Sequence, residues 1–419
     1  MENLIFILII AFLLFDSILD IWLSVLNSRN WPQSVPERIA SVFTQEKFLK
    51  ARSYSMDRSR LSHIVSFFQL AIILAMLFAG GFGWIDNLAA GIWNHSIGHS
   101  IIFFGILLLS ADILTLPFQW YSVFTIEQKY GFNKSTPAIF IGDKFKSWIM
   151  SAILGGGIFW LLAEFYYSIS DYFWLLAWGV LTLFSLLMTM FYSNIIVPLF
   201  NKQIPLKAGE LRDAIEFFAK TNGFNLKNIY VINGSKRSTK SNAYFTGIGP
   251  KKRIVLYDTL IEKHTSEEIV AVLAHEIGHY KMKHVTTGFF MSTVLNLGIM
   301  YLLNLFLSEP EFAGAIGMEP SLHASLLMFA LLFSPVSTIM GIVSNVISRR
   351  HEYAADRFAW EHTHSPALAD ALIKLSVDNL SNPTPHPYYV FMNYSHPSVL
   401  ERLKALDGYT VTDCKSSPV

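Results

Sequence analysis

The sequence predicts a mainly α integral membrane protein, with seven transmembrane helices and a small cytosolic α+β domain inserted among them. Three observations predict this. Of 419 residues, 52% are hydrophobic and only 15% charged, whereas a soluble chain carries about 25% charge. Seven apolar runs reach the roughly 20 residues that a helix needs to cross a bilayer. Finally, all 32 Lys and Arg fall in alternate connections between those runs. The net charge of +1 excludes a strongly basic nucleic-acid binder. The single cysteine, Cys414, excludes a disulfide scaffold and Cys-ligated metal clusters.

The expected spans cover residues 4–26, 61–84, 100–120, 147–168, 173–197, 285–307 and 322–347. The first lacks a basic leader and a small-x-small cleavage site, so it reads as an uncleaved anchor and not a secretory signal. Short connections make the fourth and fifth spans, and the sixth and seventh, antiparallel neighbours. Lys and Arg number seven in 27–60, four in 121–146, fourteen in 198–284 and seven in 348–419, with none in 86–99, 169–172 or 308–321. Cytosolic loops accumulate these cations, so the N-terminus is expected outside and the C-terminus in the cytosol. Within the spans lie Asp16, Asp20, Asp112 and Glu164. Such acids either line a polar cavity or pair locally, and the spans hold no Lys or Arg to meet them.

The chain therefore divides into 1–197 with five spans, a cytosolic insertion at 198–284, two spans at 285–347 and a cytosolic tail at 348–419. In the insertion, 211–221 reads as an amphipathic helix. The β-branched and aromatic runs 228–232 and 253–257 read as strands, and 241–247 resumes a strand-like pattern. The last residues, 415–419, read as frayed.

The chemistry is concentrated in an H-E-x-x-H sequence. Thr265 followed by Glu268 is a capping-box signature that starts a helix. On it, His275 and His279 are i and i+4, so both imidazoles share one face and can reach one zinc ion. Glu276, beside them, can take a proton from water without itself being a ligand. Catalytic zinc usually has three protein ligands. If the stretch after the seventh span is helical, Glu352 can complete a His, His, Glu set. Asp356, on the same face, can then accept the outer N–H of a ligand histidine. His351 is the competing ligand, and pairing of Glu352 with Arg349 is the non-functional alternative.

These residues resemble the type I CAAX prenyl protease family of integral-membrane zinc metalloproteases. The likeness extends to Glu-Gln-Lys-Tyr-Gly-Phe-Asn-Lys-Ser-Thr at 127–136, Pro-Leu-Phe-Asn-Lys at 198–202, residues 241–247, both metal motifs and Tyr-Ser-His-Pro-Ser-Val-Leu-Glu-Arg at 394–402. The resemblance implies seven helices enclosing a water-filled chamber, with one Zn2+ per chain at its cytosolic end. It assigns His275, His279 and Glu352 as ligands, Glu276 as general base and His396 as stabiliser of the oxyanion. Asn242 and Ala243 fall where the family's edge strand grips substrate, and Asp356 and Arg402 match supporting positions. The implied partners are the lipid bilayer and a peptide or protein substrate, C-terminally prenylated in the family's own chemistry; no nucleic acid is expected. The tail lacks a dibasic endoplasmic-reticulum signal, so a bacterial inner-membrane homologue is expected, for which processing or quality control of membrane proteins competes with prenylated substrates. Cys414 is too far from the terminus to be a prenylation site. The different-class alternative is a non-enzymatic polytopic protein, a transporter or receptor with a structural zinc site, which predicts four closed ligands.

Overall fold

The structure, a computed structural model, describes residues 2–224, 229–246 and 253–416. Among the described residues, six helices are long and apolar enough to cross a membrane. They are α1 (Glu2–Arg29), α2 (Gln45–Phe78), α4 (Ser96–Tyr130), α5 (Pro137–Ser168), α6 (Phe173–Phe200) and α9 (His284–Leu307). Counted as one broken span, α10 (Leu322–Leu332) and α11 (Ser334–Thr363), bent by 57° at their junction, bring the number to seven. They carry exposed Phe67, Leu108 and Phe290, apolar surface that water would penalise and lipid does not.

Two spans differ from their expected form. The second was expected to run to Trp84, but α2 ends at Phe78 and Gly80, in the left-handed region at φ 68°, redirects the chain into α3 (Gly81–Ile92). Trp84 thus belongs to α3. The seventh breaks after Phe333 because Pro335, in the first turn of α11, offers no N–H and its ring excludes the carbonyl four residues back. Beyond that break, α11 runs without interruption through residue 348, so membrane span and metal motif share one rod.

The intramembrane acids resolve differently from one another. Asp112 does have a cationic partner: Lys144, one turn outside the expected fourth span, approaches at 2.9 Å, and Gln119 Nε2 and Trp148 Nε1 also donate to it. Glu164 accepts from Ser168 at 3.4 Å. Asp16 has a buried oxygen with no hydrogen-bond partner among the described residues.

The insertion forms a four-stranded sheet in the order β1-β2-β4-β3, built from β1 (Gln203–Pro205), β2 (Ile229–Ile232), β3 (Ala243–Thr246) and β4 (Arg253–Tyr257). Only the β2–β4 pair is parallel. The expected strand at 228–232 is present from Ile229, and residues 228 and 247 lie outside the described residues. Helix α7 (Glu210–Thr221) and α8 (Ser266–Lys281) cover one sheet face, burying Ile215, Ile254, Leu256, Ile269 and Leu273. The tail adds α12 (Ala367–Asp378), α13 (Pro387–Asn393) and α14 (Val399–Ser416). The 127–136 run fastens this domain to the spans. Glu127 accepts from Tyr54 at 2.5 Å and lies 3.0 Å from Lys240, while Arg237 grips Asp143 with two hydrogen bonds of 2.7 and 2.9 Å.

Candidate active site

Helix α8 begins with the expected capping box: Thr265 Oγ1 accepts the Glu268 N–H at 3.2 Å, and Glu268 Oε2 accepts the Thr265 N–H at 3.1 Å. Glu268 also meets Lys374 of α12 at 2.5 Å. Across α8 lies α11, and Gly278 explains how closely. A Cβ there would sit 3.1 Å from Phe358 Cβ and 3.3 Å from Ala355 Cα. Glycine at this position lets the helices approach until Glu352 meets both histidines.

The result is a triangle of buried donor atoms. His275 Nε2 and His279 Nε2 are 3.2 Å apart, His275 Nε2 is 3.4 Å from Glu352 Oε2, and His279 Nε2 is 3.3 Å from Glu352 Oε1. An ion held tetrahedrally at about 2.0–2.1 Å needs donors roughly 3.3–3.4 Å apart, so the triangle already has the dimensions of a zinc site. Glu352 Oε2 is buried with no hydrogen-bond partner among the described residues, a cost that a cation removes. His351 is absent from this donor group; it stacks instead on His284, with ring centroids 3.9 Å apart.

Each histidine is oriented from behind. His275 Nδ1 is 2.9 Å from Asp356 Oδ1, and Arg402 clamps Asp356 through two bonds of 2.5 and 2.8 Å. His279 Nδ1 is 3.0 Å from His284 Nδ1. Nothing in the sequence announced His284, because it follows the end of α8. It reaches back only because Lys283 adopts a left-handed conformation at φ 59°, a strain of about 1 kcal/mol. His396 Nε2 lies 3.2 Å from Glu352 Oε1 with its side chain mostly exposed, and Ser395 Oγ holds its other nitrogen at 2.8 Å. A cavity of about 510 Å3 opens beside His396 and Arg402.

Charge in the cluster is strongly polarised. Burial opposes the imidazolium form of His275, but hydrogen bonds to Asp356 and Glu352 outweigh it and raise its pKa to about 9. Burial likewise opposes ionisation of Glu352, yet contacts with His275 and His279 hold it well below the usual carboxylate range. Asp356 is also depressed, its burial overcome chiefly by the Arg402 charge.

Glu276 is half-buried on the turn between the two histidines. Ala243 lies on β3, the edge strand, and Asn242 just before it, where its Oδ1 accepts the Ala243 N–H at 2.8 Å and its carbonyl accepts the Tyr257 N–H at 3.1 Å. Phe245 of this strand packs on Tyr280, the residue after His279.

A family model described as the CAAX prenyl protease N-terminal region, five membrane helices, matches residues 25–202. That of peptidase family M48 matches residues 205–410. The chain belongs to peptidase family M48. It is similar to the probable CAAX prenyl protease 1 of Schizosaccharomyces pombe, at 36% identity over 93% of this chain and 86% of the relative. The CAAX prenyl protease 1 homolog of Arabidopsis thaliana is 35% identical over 97% of each chain. The crystal structure of S. mikatae Ste24p matches with a TM-score of 0.90 at 33% identity, covering 96% of this chain and 99% of that one. This M48 protein is accordingly a membrane zinc metalloprotease whose spans enclose a chamber, and the non-enzymatic reading is not favoured. Among the described residues of the M48 protease, His275, His279 and Glu352 form a group able to hold a metal ion.

Proposed function

We propose that this protease hydrolyses a peptide bond near the prenylated C-terminus of a protein substrate, using one Zn2+ held by His275, His279 and Glu352. The observation that carries the reading is the donor triangle of 3.2, 3.3 and 3.4 Å with Glu276 on the same helix turn. Bound there, zinc supplies Lewis acidity that polarises the scissile carbonyl and brings the pKa of water towards about 7. Glu276 accepts the proton of the attacking water and returns it to the leaving amine. His396 donates from Nε2 to the oxygen on which charge develops. Asp356 accepts the Nδ1–H of His275 and so keeps Nε2 bare, while Arg402 keeps Asp356 ionised. The edge strand β3 offers main-chain groups to an extended substrate, with Asn242 and Ala243 setting register. Segregation of all Lys and Arg to one side supports a cytosolic site with the N-terminus outside.

The deciding experiment uses detergent-solubilised protein and two labelled C-terminal peptides, one prenylated and one not. Preferential cleavage of the prenylated peptide is expected, and equal cleavage of both would replace prenyl processing with general processing of membrane proteins. Glu276→Gln should keep its zinc and lose about 10²–10⁴-fold in rate. A variant as fast as wild type would overturn the assigned base.

A further inference from the structure

The opposite end of the helix bundle holds a second cluster of metal-ligating side chains, and the protease reading makes no use of it. Asp86 of α3, His99 of α4 and His323 of α10 place one donor atom each within 4.8 Å of one another. His323 Nε2 is 2.7 Å from Asp86 Oδ1, and His99 Nε2 is 2.8 Å from the same oxygen and 3.0 Å from the Asp86 carbonyl. His323 is 1% exposed. The close approach is built in. A Cβ on Gly83 would sit 2.4 Å from the Gly317 carbonyl oxygen, so glycine lets α3 lie against the segment leading to His323.

The hydrogen bonds offer His323 a tautomer that leaves one nitrogen available. Ser100 Oγ lies 2.9 Å from both the Ser96 carbonyl and His323 Nδ1, so when its one proton goes to the carbonyl, as is usual for a helical serine, it accepts from Nδ1. A neutral imidazole protonated at Nδ1 leaves Nε2 bare, aimed at a carboxylate oxygen 2.7 Å away. The Ser321 hydroxyl, 3.1 Å from Nε2, can satisfy the ring but not the carboxylate. In that tautomer two lone pairs face each other at 2.7 Å, an arrangement that a cation between them relieves. The three connections on this side, 86–99, 169–172 and 308–321, contain no Lys or Arg to supply one.

We propose that Asp86, His99 and His323 form a second site for a divalent first-row transition cation, of which Zn2+ is the probe, at the non-cytosolic end of the membrane domain. Two imidazoles and one carboxylate suit such an ion. Ser100, accepting from Nδ1, would orient His323 for ligation, as outer-shell partners do at metal sites. A cavity of about 340 Å3, lined by Ser96, His99, Tyr166, Ser321 and His323, gives water and the ion a route in. The inference is independent of the protease mechanism, since the two clusters share no residue.

The test uses the full-length protein in detergent, stripped by chelation, equilibrated with Zn2+ and desalted, with zinc per chain measured by mass spectrometry. Wild type should retain two equivalents. His279→Ala, which disables the cytosolic group, should retain one and still unfold at a higher temperature when Zn2+ is added. Adding His99→Ala or Asp86→Asn to that variant should remove both the zinc and the thermal shift. His99→Ala alone should retain one equivalent and full cleavage, which also shows that it folds. If His279→Ala holds no zinc and Zn2+ leaves its unfolding temperature unmoved, the charge between His323 and Asp86 is a proton and the proposal fails. It fails equally if zinc persists in both double variants.

Discussion

Two ends of one helix bundle each gather two histidines and a carboxylate, but they are assembled by different means. At the end that carries the sheet, two donors come from a single turn of α8 and the third from α11, so helix periodicity does most of the positioning. At the opposite end, Asp86, His99 and His323 come from three separate helices and meet only through the packing of their ends. The supports differ as well. His275 is backed by the ionised Asp356–Arg402 pair, His323 by the neutral Ser100 hydroxyl. An anionic partner raises the basicity of a ligand, suiting an ion that must polarise substrate. A hydroxyl partner only orients it. The comparison thus separates a reactive centre from a centre that ties helices together.

The largest expected effect sharpens what is special to the protease end. His396→Ala removes a donor with no counterpart in the outer cluster, and turnover should fall by about 10²–10³-fold with zinc content unchanged. Steady-state kinetics beside metal analysis checks this, and a raised KM with normal turnover would reassign His396 to substrate binding.

Next comes the proton that zinc must displace. In the metal-free protein, His275 titrates at about 9, so at neutral pH its site carries a proton that competes with the metal. Apparent zinc affinity should rise about tenfold per pH unit between about pH 7 and 9 and then level off. The same shift bears on folding. A histidine with a raised native pKa stabilises the metal-free fold fully below its ordinary value of about 6.5, and that contribution disappears as pH rises through about 9. Calorimetric zinc titrations across this range would show a flat profile if His275 were already neutral.

Asp356→Asn tests the ionised support itself. It leaves the size of the side chain but deprives His275 of an anionic acceptor and Arg402 of its counter-charge, and zinc affinity should fall by about 10–100-fold. Competition with a chelating dye would register this, and unchanged affinity would make the two ends equivalent in kind. The smallest effect is expected across the molecule: His99→Ala should change peptide cleavage by less than about twofold, because distant sites without shared partners behave independently. A large loss of cleavage in that variant would mean that the two ends are coupled through the spans.

Legibility from the sequence followed the range of the interaction. Helix α8 could be read together with its cap because Thr265, Glu268, His275 and His279 act within a few turns of one helix. Strand β4 could be read as 253–257 because its β-branched run is bounded by polar residues. The break at Phe333 is marked in the sequence by Pro335 alone, one residue within an otherwise apolar run, so run length does not disclose it. The cationic partner of Asp112 is not legible in its own apolar run, because Lys144 lies before the next run in sequence and reaches it only since α5 begins at Pro137 and carries that lysine alongside.

Hydrophobic run length and helix periodicity are local or additive properties of the chain, so the sequence alone determined the long apolar helices and the reactive helix. Only the tertiary structure decided that Gly278 admits α11 against α8, that Lys283 turns His284 back onto His279, and that Asp86, His99 and His323 converge. Those contacts depend on how whole helices pack, and packing is set by shape across the molecule, which no window of sequence contains.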